Sequence, residues 1–200
     1  MAENKQLKLA LYLIGAGMHV AAWKHPLAQV DASIDIKALQ KVAQLAEKGK
    51  FDIAFVADSL AINHESHPHI LNRFDPLIQI TALAAATSKI GLGATASTTY
   101  SEPYVLARQL MSIDHISNGR VAWNLVTTAD ATGQTALNFS RDQHWEHDHR
   151  YERAEEFIDV VQSLWDSWED DAFVYDRENN IFYEQEKVHE TAFKGKYLSV

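Results

Sequence analysis

Apolar positions along the chain fall into two alternating patterns. Leu7-Lys8-Leu9-Ala10-Leu11-Tyr12-Leu13-Ile14 reads as a buried first strand, and Asp52-Ile53-Ala54-Phe55-Val56-Ala57 is a nearly continuous run, the mark of a strand covered on both faces. Between them, Ala38 to Lys48 carries Leu39, Val42, Ala43 and Ala46 on one helical face, and Gly49 can supply a left-handed stop. Asp75-Pro76 places a capping carboxylate before a proline at the first helical position, which opens a helix running to about Ser88. A third strand covers Ile90 to Thr95. A helix then runs from Pro103 to a stop at Asn118-Gly119, and Arg120 to Val126 forms a fourth strand. Tyr151 to Trp168 is the strongest helix, with Ala154, Phe157, Ile158, Val161, Leu164, Trp165 and Trp168 as one apolar stripe. Beyond it, Phe173-Val174-Tyr175 and Ile181-Phe182-Tyr183 flank a polar turn at Asn179-Asn180, a hairpin pattern, and the tail from His189 to Val200 shows no helix.

Strand–helix alternation repeated four times with short connections predicts an α/β fold with a parallel sheet and right-handed crossovers. A doubly wound sheet and a barrel share this pattern. The glycine fingerprint of the former is poorly met by Gly15-Ala16-Gly17-Met18-His19-Val20, where Val20 stands for the third glycine, so a TIM barrel is favoured. A complete barrel of this kind takes about 250 residues. Residues 1–172 are therefore expected to form its N-terminal half, about four strand–helix units, with 173–200 as a hairpin-like extension leading to a second half.

Composition narrows the function. A formal charge of −9 disfavours nucleic acid and anionic membranes as partners, and the absence of cysteine excludes disulfides, thiolate metal sites and a cysteine nucleophile. Leu7 to Trp23, with Lys5 before it and Lys8 near its start, has some character of a signal peptide. His19, Trp23 and two glycines interrupt it, so a first strand and a cytoplasmic setting are expected.

In a parallel barrel the active site forms just past the C-terminal ends of the strands. Those positions hold His19; Asp58 and Ser59; Thr95 to Thr99; and Trp123-Asn124 with Thr127-Thr128. Hydroxyls, an amide, a carboxylate and an imidazole among apolar walls suit a polar aromatic ring, and they lack the paired carboxylates of a glycosidase. Histidine clusters occur at His64, His67 and His69 and at His144, His147 and His149. The first lies in a loop and no HExxH helix occurs, so no metal site is expected. His147 and Tyr151, four apart at the start of the strongest helix, can share one face, where imidazole and phenol donors suit a phosphate.

Two segments carry a more specific resemblance. Gly119-Arg120-Val121-Ala122-Trp123-Asn124-Leu125-Val126-Thr127-Thr128 and His147-Asp148-His149-Arg150-Tyr151-Glu152-Arg153-Ala154-Glu155-Glu156-Phe157, followed by Leu164-Trp165-Asp166-Ser167-Trp168, resemble the signatures of the nitrilotriacetate and dibenzothiophene-sulfone monooxygenase family. That family lies within the bacterial-luciferase-like flavin monooxygenases. The resemblance implies a TIM barrel using reduced FMN, supplied by a separate NAD(P)H-dependent flavin reductase, with O2 as co-substrate. It also implies a small nitrogen- or sulfur-containing organic substrate and a homo-oligomer. By the same resemblance, Asp58, Thr95 or Ser97, Asn124, His147 and Tyr151 fall at FMN contacts: Asn124 at the isoalloxazine edge, Tyr151 toward the phosphate. His19 falls beside the reactive face of the flavin, where an imidazole can exchange a proton. A deazaflavin-dependent dehydrogenase of the same fold, or a non-catalytic flavin-binding or dimerising fragment, are the alternatives.

Overall fold

The computed structural model describes residues 6–130 and 133–200, with the side chain of His69 and the whole of Lys5 outside the described part. Four strands, β1 (Ala10–Tyr12), β2 (Ile53–Val56), β3 (Gly91–Ser97) and β4 (Val121–Val126), form one parallel sheet in the order β1-β2-β3-β4. A doubly wound sheet reverses its strand order at a switch point; among these four strands no reversal occurs. The monotonic order is that of a barrel wall, and the α/β fold is that of half a TIM barrel.

Two of the connecting helices begin behind capping carboxylates. Helix α1 (Ile36–Lys48) starts behind Asp35, whose carboxylate accepts the Lys37 and Ala38 amides. A four-residue α2 (Pro68–Leu71) follows β2, and α3 (Pro76–Ala84) starts behind Asp75, with proline at its first turn. Helix α4 (Pro103–Ser117) stops at Asn118 and Gly119, both left-handed (φ 56° and 76°). After β4 come a short α5 (Gln134–Asn138) and α6 (His147–Trp165). An antiparallel hairpin of β5 (Phe173–Asp176) and β6 (Ile181–Tyr183) follows.

Several expectations shift. Among the described residues the first strand is a short edge strand rather than a buried one: it pairs there with β2 alone and leaves Leu7 and Leu9 exposed. Gly49 does not supply the left-handed stop of α1, because its φ is −75° and the positive φ falls on Lys50. Helix α6 begins a full turn earlier than the apolar stripe suggests. Trp168 lies outside it and stacks on Phe173 of the hairpin at 4.8 Å.

Register explains which face of the sheet is core. Ala54, Val56, Leu92 and Ala94 are buried under α1, α3 and α4, together with Leu39, Ala43, Ile80 and Leu83. Against the far side, α6 packs Phe157 and Val161 onto Leu106 and Leu110 of α4. The opposite face is different in kind. Tyr12 and Phe55, 5.6 Å apart, sit in register with Gly93 and Ala122, and the next layer up holds Thr95 and Asn124. Barrel interiors are usually filled by bulky branched residues; small and polar side chains leave this face room.

The lower ends of the strands are stapled for stability. Arg120 donates to the carbonyls of Ser117, Ala84, Thr87 and Ile90. The Glu47 carboxylate accepts the Ser88, Lys89 and Ile90 amides, tying the end of α1 to the start of β3. Burial pushes the Glu47 pKa up, but the hydrogen bonds from Ile90, Lys89 and Ser88 outweigh it and bring it down to about 2. A folded-state pKa below the unfolded value of 4.5 stabilises the fold above pH 4.5, and that contribution is lost as pH falls toward 2. Glu47→Gln should therefore lower the melting temperature at neutral pH, by roughly 1 kcal/mol of stability. It should also flatten its decline across that acid window. A pH–melting curve parallel to the wild type would show that the carboxylate charge contributes nothing.

Among the described residues the two outer strands have unpaired edges, and an apolar cavity of about 450 Å³ opens beside β4 between Leu110, Met111, Val121, Trp123 and Trp165. Open edges and uncovered apolar grooves drive association. The 200-residue chain on its own should therefore self-associate or melt broadly. A concentration-independent monomer with a sharp transition in sedimentation and calorimetry would contradict this.

Candidate active site

At the upper, C-terminal ends of β2, β3 and β4 the small inner-face residues open into a cleft of about 390 Å³. Its lining includes Asp58, Ser59, Thr95, Ser97, Asn124 and Thr128. Thr95 and Asn124 are register partners on adjacent strands, and the Asn124 amide nitrogen donates to the Thr95 hydroxyl at 3.0 Å, which fixes the plane of the amide. Thr95 and Ser97 both belong to β3, which runs two residues further than its apolar pattern indicates, and both are buried. The Ser97 hydroxyl accepts from the Thr128 hydroxyl at 2.6 Å and from the Thr99 amide at 3.2 Å.

Asp58 is the cleft's ionisable group. Burial pushes its carboxyl above the ordinary carboxylate range, against the Ser59 amide and the Arg73 charge, and Asp75 adds to the upward push. A carboxyl, an amide and the hydroxyls of Ser59, Thr95, Ser97 and Thr128 on one rim can accept from and donate to the edge of a polar heteroaromatic ring. The apolar walls, Ala57, Leu60, Ala96, Val126 and Ala129, suit its faces.

The remaining candidates lie elsewhere. His19 sits on the exposed loop after β1 and does not line the cleft. Its Nδ1 accepts the Ala21 amide at 3.1 Å, so the neutral ring carries its proton on Nε2. His147 and Tyr151 stack at 4.4 Å on the first turn of α6, both exposed and outside the cleft lining, and Asp148 takes the His147 Nδ1 at 2.8 Å. Trp123 faces away from the rim: its indole donates to the Ala96 carbonyl and its ring meets Phe157 at 6.0 Å. The second histidine cluster is divided. His144 bonds the Tyr100 hydroxyl, His147 stacks on Tyr151, and His149 lies between Trp145 and Tyr197. Among the described residues, no three His, Asp or Glu side chains come together as metal ligands.

Sequence reasoning passes over three arginines. Arg141, Arg150 and Arg153 turn their guanidinium groups onto main-chain carbonyls of the turns after β3 and β4. Arg150 and Arg153 stand three apart on α6, beside Ala154 and Phe157 on its buried side. That placement among apolar neighbours is the signal that would have found them.

Comparison with known proteins adds what geometry alone does not. A family model described as luciferase-like monooxygenase matches residues 17–197. Over 100% of its length the chain is 53% identical to N-acetyl-S-(2-succino)cysteine monooxygenase of Bacillus subtilis (strain 168), covering 45% of that protein. It is 41% identical to nitrilotriacetate monooxygenase component A of Aminobacter aminovorans, again over 100% of the chain and 46% of the relative. Among solved structures, a riboflavin lyase crystallised with modified FMN and riboflavin superposes with a TM-score of 0.86 at 33% identity, over 98% of this chain and 46% of that one. The chain thus spans about half the length of these relatives.

Proposed function

The chain belongs to the luciferase-like monooxygenase family, and from that premise we propose that it forms the flavin-binding half of an FMN-dependent monooxygenase. The substrate is a small nitrogen- or sulfur-containing organic compound. The observation that carries this reading is the convergence of Asp58, Thr95, Ser97 and Asn124, from three adjacent strands, on one cleft of small and polar lining. When bound, reduced FMN supplies the electrons and the reaction with O2. The protein's own groups hold and orient it. Asn124, fixed by Thr95, would hydrogen-bond the isoalloxazine edge; Asp58 and the hydroxyls of Thr95 and Ser97 would serve the rest of the rim; His147 and Tyr151 would receive the phosphate at the start of α6. His19 would hold or exchange a proton beside the bound flavin.

Reduced FMN reaches the site from a separate NAD(P)H-dependent reductase, a reading supported by the name of the Aminobacter relative as one component of its enzyme. The second half of the barrel supplies the substrate pocket. Residues 173–200 form an appended unit, whose tail docks on α6 through the Glu156 carboxylate and the amides of Lys196, Tyr197 and Leu198.

The test is turnover of a barrel completed by its second four-strand half, supplied with a flavin reductase and candidate nitrogen or sulfur compounds. Substrate oxidation should require both FMN and O2. Oxidation that continues without O2, with a deazaflavin as acceptor, would instead identify a dehydrogenase.

A further inference from the structure

The wall of the cleft nearest α6 contains a backbone conformation that needs an explanation. Thr128 has a φ of 56°, in the left-handed region that L residues, and β-branched ones above all, rarely adopt. Such a residue persists only where its surroundings hold it. What holds it is Arg150. One nitrogen of the guanidinium, Nη1, donates to the Thr127 carbonyl (3.0 Å), the Thr127 hydroxyl (3.0 Å) and the Thr128 carbonyl (2.8 Å). Its Nε donates to the Trp145 carbonyl at 3.0 Å, anchoring the fork to the chain just before α6. The side chain is buried behind the cleft and does not line it.

We infer that Arg150 is a positioning residue: it locks the Thr127–Thr128 turn and thereby aims the Thr128 hydroxyl at Ser97 on the cleft wall. The path is continuous, from guanidinium to Thr128 carbonyl, and from Thr128 hydroxyl to Ser97 Oγ at 2.6 Å. Only arginine presents several donors in a rigid planar fork, whereas a lysine ammonium on a flexible stem does not reproduce the set. The neighbouring turn is treated alike, since Arg153 holds the Thr98 and Ser101 carbonyls and Arg141 holds that of Thr99. What the wall touches, the flavin, rests on the proposed function; the coupling of Arg150 to Thr128 does not.

The test is a double-mutant cycle. In the completed barrel, Arg150→Lys should weaken binding of reduced FMN about tenfold. Thr128→Gly should also weaken it, because Ser97 loses one of its two donors, but glycine takes the left-handed turn without strain. Adding Arg150→Lys to Thr128→Gly should therefore cost less than about twofold more, the non-additivity expected of two groups acting as one. Equal losses in both backgrounds would overturn the inference. Should Arg150→Lys alone fail to fold, Thr128→Gly must restore folding, and no restoration overturns it equally. If the unmutated barrel binds no FMN, the flavin reading falls by itself. The same cycle, read as melting temperatures of the completed barrel, then sustains the inference if non-additive and overturns it if additive.

Discussion

Replacing His19 by alanine should lower productive oxidation by about 10²-fold or more, the usual range for a lost acid–base group, while FMN affinity stays nearly unchanged. A histidine between Met18 and Val20 after an apolar strand could have been a core imidazole, and that possibility carries its own expected result, a large loss of stability. The structure puts the ring on an exposed loop, where the Ala21 amide donates to its Nδ1. Losing that bond should cost no more than about 1 kcal/mol. A loaded flavin reacting with O2 without proper proton management releases hydrogen peroxide. The His19→Ala protein should therefore consume reduced FMN and O2 while yielding more peroxide and less product. The measurement is product against peroxide per reduced flavin in the completed barrel, alongside the melting temperature. An unchanged ratio with a large drop in melting temperature would assign His19 to structure instead of chemistry.

Asn124→Ala should weaken reduced-FMN binding by roughly fivefold to more than a hundredfold, the equivalent of about 1–3 kcal/mol for a buried hydrogen bond lost from a cofactor. The effect is expected to be large because the amide is held in place before the ligand arrives. The Thr95 hydroxyl fixes its plane across the β3–β4 register, so little ordering remains to be done on binding. Tyr151→Phe should fall in the same range through the phosphate, and its stacking on His147 should survive the loss of the hydroxyl. Anaerobic titration followed by flavin fluorescence checks both. Wild-type affinity in the two variants would place the flavin elsewhere.

Much of this molecule was legible in the sequence where local rules and tertiary needs agree. Asp75-Pro76 and Asn118-Gly119 mark helix ends by caps and by left-handed geometry, and both lie where the structure has those ends. Parallel order and the rim positions of Asp58, Thr95, Ser97 and Asn124 follow from alternation of strands and helices alone. Other features depend on contacts that sequence spacing does not encode. Apolarity overstates the burial of Leu7 to Ile14, because an edge strand is short wherever its single partner is short. Arg150 and Arg153 resemble ordinary solvated charges until the turns after β3 and β4 are folded beneath them. The placement of His19, His147 and Tyr151 away from the cleft lining likewise depends on loop geometry, not on periodicity.

The most direct test of the central claim is the position of FMN in a crystal of the completed barrel. The isoalloxazine edge should lie within hydrogen-bond distance of Asn124, with Asp58, Thr95 and Ser97 around the ring and the phosphate at His147 and Tyr151. A flavin bound instead in the apolar groove beside Trp123 and Trp165, or anywhere that leaves Asn124 bonded to Thr95 alone, would contradict it.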